Sequence, residues 1–255
     1  MQYLLLIFTY VLSLAACPQP KEKPQVQKLR FPLGDKELVF TKTIYKNGGD
    51  TIFLQLHDNE GTAGESALEH IRENGGVLLS IENEGSRNVS FTLQNQSYTF
   101  DPNRIFTPVG LQATLERLSK SSPEAIAAVK AFADSILNHL PHSALIIAIH
   151  NNTDESFSIT SYVSDTTYQR DAAAVHTNAT HDVDDFFLTT DKDFYRQLAA
   201  LNYNTILQNN EGATDDGSLS VYLGKRGIRY VNVEAEHGHG TFQLQMIKSL
   251  LQPKE

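Results

Sequence analysis

Residues 51–82 read TIFLQLHDNEGTAGESALEHIRENGGVLLSIE, and this stretch decides the fold. It opens on a nearly all-apolar run, 51–57, as expected of a strand covered on both faces. Residues 62–76 keep helical spacing, with an early acidic residue and a glycine stop. GVLLSIE then forms a second strand. Strand, helix and strand in succession are the unit of an α/β fold. The anomaly is the exit of the first strand, His57-Asp58-Asn59-Glu60. Such groups are costly to bury unless they are paired, hydrogen-bonded or bound to a metal.

The same alternation runs outward. LVFTKTIY (38–45) reads as an opening strand, and RNVSFTLQNQSYTF as a hairpin about Asn95-Gln96. Residues 110–119 and 123–139 are helical by spacing, the second starting Ser-Pro-Glu. ALIIAIH (144–150) is another buried strand ending in histidine, followed by SFSITSYV and a polar insert, 165–185. A helix (191–201), strand (204–208), helix (217–226), strand (228–236) and closing helix (241–251) complete an α/β sandwich around a mixed, mostly parallel sheet. In such sheets chemistry gathers beyond the C-terminal strand ends. Two strands here end in His57 and His150, and a third carries Glu234.

Bulk properties narrow the function. The chain has 255 residues, 40% hydrophobic, enough for one sizeable core, with 21 Lys+Arg against 30 Asp+Glu. There is no basic stripe with interleaved aromatics, which argues against a nucleic-acid partner. No G-x-S-x-G and no phosphate-cradling loop is present, so serine hydrolase and nucleotide enzyme readings fail. The start, MQYLLLIFTYVLSLAAC, is an early, short apolar run ending in small residues, as in a secretory signal. Cys17 is the only cysteine and forms no internal disulfide. PQPKEKPQVQK after it suits an extended tether.

His57, Glu60 and His150 form the sharpest pattern in the chain. Two imidazoles and one carboxylate bind zinc and leave a fourth position open, the catalytic rather than the structural arrangement. H-x-x-E alone is weak, and a lone strand-end histidine is more often bonded to backbone. Its company is what lifts it: FDPNRIF (100–106) and IHNN (149–152) stand in order after HDNE.

HDNE, DPNRIF and IHNN together resemble the zinc carboxypeptidase superfamily, nearest its aspartoacylase and succinylglutamate desuccinylase branch. The resemblance implies a three-layer sandwich and an amide-cleaving zinc hydrolase. It implies zinc on His57, Glu60 and His150, with Asn103, Arg104 and Asn151 facing the substrate. Arg104 would pair with a carboxylate, which its two-pronged guanidinium suits, and would act in catalysis beside a general-base glutamate. RYVNVEAEHGHG offers Glu234 for that base, with Glu236 in reserve. The substrate implied is a small peptide, a muropeptide or an N-acyl amino acid. Leu14-Ala15-Ala16-Cys17 resembles the bacterial lipobox, although no Lys or Arg precedes the apolar run. That implies a signal peptide over 1–16, a lipidated Cys17 with a tether over 17–28, a catalytic domain over 29–255, and anchoring to a membrane of the bacterial envelope.

Two departures from the family pattern stand out. Proline occupies the x of D-x-N-R, and no position is assigned to the tyrosine that closes over substrate, Tyr162 and Tyr222 both being open. His176 and His181 among Asp182, Asp184 and Asp185 suit a metal cluster or, more simply, a solvated loop. His237 and His239 either line the pocket or cap a helix, and Ser218 caps a helix or touches substrate. A ligand-binding lipoprotein of the same fold without turnover is the alternative function.

Overall fold

A computed structural model describes residues 23–153, 157–163, 166 and 168–252. The expected signal peptide over 1–16 and Cys17 lie outside the described residues. Strands β1 (Gln25–Leu33), β2 (Lys36–Tyr45) and β3 (Thr51–Gln55) lead to helix α1 (Gly61–Asn74) and strand β4 (Gly76–Glu82). A hairpin of β5 (Val89–Leu93) and β6 (Gln96–Phe100) precedes helices α2 (Pro108–Leu118) and α3 (Pro123–Leu137). Then come β7 (Leu145–Asn152), β8 (Ala172–His176), β9 (Phe186–Thr189), α4 (Lys192–Ala200) and β10 (Thr205–Gln208). Helix α5 (Leu219–Gly224), β11 (Tyr230–Glu236) and α6 (Gly240–Leu250) follow. No helix of the described residues is long and apolar enough to cross a membrane.

One mixed sheet takes the order β1-β2-β4-β3-β7-β11-β9-β10-β8. Its middle strands β4, β3, β7 and β11 are parallel, with antiparallel pairs toward both edges. The parallel strands read as unbroken apolar runs because both faces are covered. Ile52, Leu54, Ile146, Ala148 and Tyr230 pack with Phe100, Leu115 and Phe132, toward the hairpin, α2 and α3. Phe53, Ile147, Ile149, Val231 and Val233 pack with Ile71, Leu198 and Ile247, toward α1, α4 and α6. Side chains alternate along a strand. His150 and Glu234 therefore share the first face, and Asn151 the second.

The structure corrects several local expectations. Among the described residues regular structure starts at Gln25, not near Leu29, so residues 25–28 of the expected tether belong to β1. That strand is a mostly exposed edge held by ladder pairing from Gln25↔Ile44 to Leu33↔Lys36, so it shows no apolar alternation. The polar insert contains β8, an edge strand masked by its alanines, and β9 begins just after it. Described residues 159–162 form a short 3-10 turn rather than a strand. The hairpin turns on Gln94-Asn95, one residue early, with φ 51° and 62° at the two positions. Both are left-handed, as a two-residue turn matching strand twist requires.

One backbone contact seats the loop that carries Arg104. The Phe106 N–H donates to the Gly217 carbonyl at 3.0 Å. A Cβ on Gly110 would stand 2.1 Å from Gly217 Cα, and one on Gly217 would stand 2.3 Å from the Arg104 carbonyl. We expect Gly110→Ala to cost about 1–3 kcal/mol, the usual penalty of overpacking. Gly61→Ala, where a Cβ meets nothing within 4 Å, should cost far less. Urea unfolding of the two variants checks this.

Candidate metal centre

After β3 the chain turns tightly into α1, and Glu60 occupies the capping position of that helix without making a side-chain cap bond. Gln55 Nε2 fixes the turn, donating to the His57 carbonyl at 3.2 Å and the Glu60 carbonyl at 3.0 Å. Gly64 leaves room for it, since a Cβ there would lie 2.5 Å from Gln55 Oε1. Asp58 points outward and accepts from the Asn83 and Gly85 N–H groups at 2.6 and 2.8 Å. That contact holds the loop bearing Arg87.

The three donors converge across 93 positions of sequence. His57 Nδ1 lies 2.9 Å from Glu60 Oε1, and His150 Nδ1 lies 2.8 Å from Glu60 Oε2. The two ring nitrogens are 3.2 Å apart. One ligand atom from each residue falls within 4.8 Å of the others, and all three residues are buried. Two imidazole nitrogens facing each other across one carboxylate are a poor hydrogen-bond set, since a proton serves the pair only once. A single cation serves all three atoms, and N, N and O donors suit zinc. The set fits the metal.

The far side of His57 is also built. Its Nε2 pairs with Asp101 Oδ1 at 2.8 Å, the carboxylate contact that fixes tautomer and ring plane in metal-binding histidines. Asp101 in turn accepts from the Asn103 N–H at 2.8 Å. His150 has no such support, and its Nε2 is buried with no hydrogen-bond partner among the described residues. Arg87 donates from Nη1 to Glu60 Oε1 at 2.6 Å, and its Nη2 stands 3.8 Å from Asp101 Oδ2.

Charge balance follows from these contacts. Burial opposes a charge on His57, but Glu60 and Asp101 outweigh it and raise its pKa. Burial would lift Glu60 and Asp101, yet His150 and His57 hold Glu60, and His57 with Arg104 and Arg87 holds Asp101, well below the usual carboxylate range. Glu234 goes the other way: burial first, then the nearby Glu60 charge, raises it.

Glu234 pairs in register with His150 on the neighbouring strand, on the same face. Asn232 Nδ2 donates to Glu234 Oε2 at 3.0 Å. A cleft of about 650 Å³ opens here, lined by the three donors, Arg87, Asn103, Arg104, Tyr162 and Glu234. Arg104 Nε sits 3.5 Å from Asp216 Oδ2, and Asn103 Oδ1 accepts from the Leu219 N–H at 3.2 Å.

The remaining candidates divide clearly. Asn151 borders the cleft, but its amide oxygen and nitrogen are bonded to protein groups on the other side of the sheet. Glu236 sits at the end of β11, 3.4 Å from His239 Nε2, and does not line the cleft. Tyr162 lines the cleft and stacks on Tyr168 at 5.4 Å, whereas Tyr222 packs beneath Arg226 at 3.6 Å. Ser218 caps α5 and borders the cleft. His176 bonds Asn202, and His181 packs against Tyr203 and Phe242. His237 does not line the cleft, and His239 pairs with Asp185 at 3.0 Å at the start of α6. The sequence reading missed the roles of Arg87, Asp101, Asn232 and Gln55. Asp101 stood inside a quoted motif; an isolated arginine such as Arg87 gives no sequence signal.

No family model and no curated protein matches this sequence. Among solved structures it is similar to thrombin activatable fibrinolysis inhibitor, with a TM-score of 0.48 and 11% identity over 88% of this chain and 68% of that one. It is similar to a succinylglutamate desuccinylase from a Silicibacter species, with a TM-score of 0.44 and 12% identity over 92% and 68%. A third is the murein-tripeptide amidase of Escherichia coli O157, with a TM-score of 0.45 and 10% identity over 88% and 95%.

A metal held by this set would compete with the proton for His57 Nδ1. Because its pKa lies above the ordinary 6.5, zinc affinity should climb as pH rises through that raised value and the proton leaves. Asp101→Asn removes one cause of the elevation and the brace on the ring. The midpoint should then move to lower pH while affinity falls about 10–100-fold. Chelator competition across pH measures both.

Proposed function

We propose that the chain is a zinc-dependent hydrolase that cleaves an amide bond in a carboxylate-bearing substrate, a peptide, muropeptide or N-acyl amino acid. The observation that carries this reading is the convergence of His57, Glu60 and His150 beneath a cleft, with a buried Glu234 in register beside His150. His57, Glu60 and His150 would hold the metal. Zinc in such a set supplies Lewis acidity, activating water and polarising a carbonyl.

The chain's own groups do the rest. Asn232 occupies Glu234 Oε2, leaving Oε1 to take a proton from the attacking water and return it to the leaving nitrogen. Burial disfavours the charged form of this carboxyl, which makes it a stronger base once ionised. Arg87, bonded to Glu60 at the wall of the cleft, would steady negative charge developing on the carbonyl oxygen. Arg104, countered by the half-exposed Asp216, would pair with a substrate carboxylate in competition with Asp216.

Glu234→Gln should keep zinc bound, since this residue is not a ligand, while turnover falls about 10²–10⁴-fold. Peptides with a free C-terminal carboxylate, muropeptides and N-acyl amino acids are the assay set. Loss of zinc would make Glu234 a ligand, and undiminished turnover would end its role as base. If the wild type binds zinc and cleaves none of these substrates, the non-catalytic ligand-binding reading replaces the enzyme.

For cellular placement we propose envelope anchoring through a lipid on Cys17, supported by Leu14-Ala15-Ala16-Cys17 and the single cysteine. Cys17→Ser should abolish fatty-acid labelling and release the protein from membranes. An unlabelled wild-type chain would remove the lipid from the proposal.

A further inference from the structure

We propose that Asn151 and Gln243 are a positioning pair that registers Glu60, His150 and Glu234 against one another from the back of the sheet. The inference rests on reading the His57–Glu60–His150 set as a metal centre.

The need for such a device starts at Glu60. It occupies the capping position of α1, but its side chain makes no cap bond because both carboxylate oxygens face the histidines. A helix start buried in the protein leaves N–H groups that require acceptors. Asn151 supplies one from the neighbouring strand: its Oδ1 accepts from the Ala63 N–H at 2.8 Å. A residue adjacent to one ligand thus caps the helix that carries another.

The second half of the pair extends the lock to the base. Asn151 Nδ2 donates to the Ala235 carbonyl at 3.2 Å and to Gln243 Oε1 at 3.3 Å. Gln243 Nε2 donates to the His150 carbonyl at 2.9 Å and the Val233 carbonyl at 3.3 Å. The backbone groups held are therefore His150 itself, both neighbours of Glu234, and the first turn after Glu60. Both amides are buried, Gln243 to 0% exposure. All four of their polar atoms are used in a fixed donor and acceptor order. No apolar residue reproduces that order, and a carboxylate lacks the donors. Zinc sites tolerate only about 0.2 Å in ligand distance, so a shift of β7 against α1 or β11 reaches the metal directly.

Gln243→Met keeps approximate volume and removes every bond. Ile247→Val, a buried truncation on the same helix, controls for a merely structural loss. We expect Gln243→Met to lower zinc affinity of the folded protein about 10–100-fold, while Ile247→Val leaves it unchanged. If Gln243→Met does not fold, Gln243→Glu, which retains the acceptor for Asn151, serves in its place. A second readout needs no metal. The ring nitrogen NMR signals of His57 and His150 in metal-free protein should move in the Gln243 variant and stay in the control. Unchanged zinc affinity with unmoved ring signals overturns the pair and leaves the metal centre intact. A wild type that binds no zinc, with ring signals that still move, overturns the metal reading and keeps the pair.

Discussion

The buried carboxylate of Glu60 is the constraint on which the rest of the site depends. At 2% exposure it has lost its hydration and must be repaid by cations or donors in fixed places. His57, His150 and Arg87 surround it at 2.6–2.9 Å. Removing one partner from such a buried set typically costs about 3–5 kcal/mol. This answers the puzzle of an apolar strand that exits into His57-Asp58-Asn59-Glu60: three of the four side chains are inward or anchoring groups of one assembly. Asp58 serves it at one remove by fixing the loop that delivers Arg87.

The sheet makes that assembly possible. Strands β3, β7 and β11 are consecutive and parallel, so their C-terminal ends lie side by side although 80 or more positions separate them in sequence. Alternation then sorts residues by face. His150 and Glu234 point toward the cleft, while Asn151, one residue on, points to α1 and α6. The two faces of β7 thereby do different work: one presents chemistry and the other fixes its geometry. Both cores flank the same strands, which keeps these positions rigid.

How much of this was legible in the sequence depends on whether a role leaves a local mark. Apolar runs that end in histidine are local marks, so β3, β7 and the three donors were readable, as was Glu234 on a strand face. Edge strand β1 was not, because an exposed edge is held by backbone bonds and needs no apolar period. Asn151 illustrates the limit from the other side. The family resemblance implied that it faces the substrate; what no local mark disclosed is that its amide also caps a helix some 88 residues away in the chain. Arg87 sits in an exposed-looking turn, and only the folding of Asp58 onto that turn brings it to Glu60.

The sequence by itself determined the α/β alternation, the apolar strands of the centre and the identities of the groups that hold charge at their ends. These follow from periodicity and from the cost of burying polar residues, both local properties of the chain. Only the tertiary structure decided which of those groups meet. The order β4-β3-β7-β11, the face on which each side chain emerges and the donor sequence of Asn151 and Gln243 are set by packing between distant elements. Hydrogen bonds and ion pairs act over about 3 Å, a distance that sequence separation does not encode.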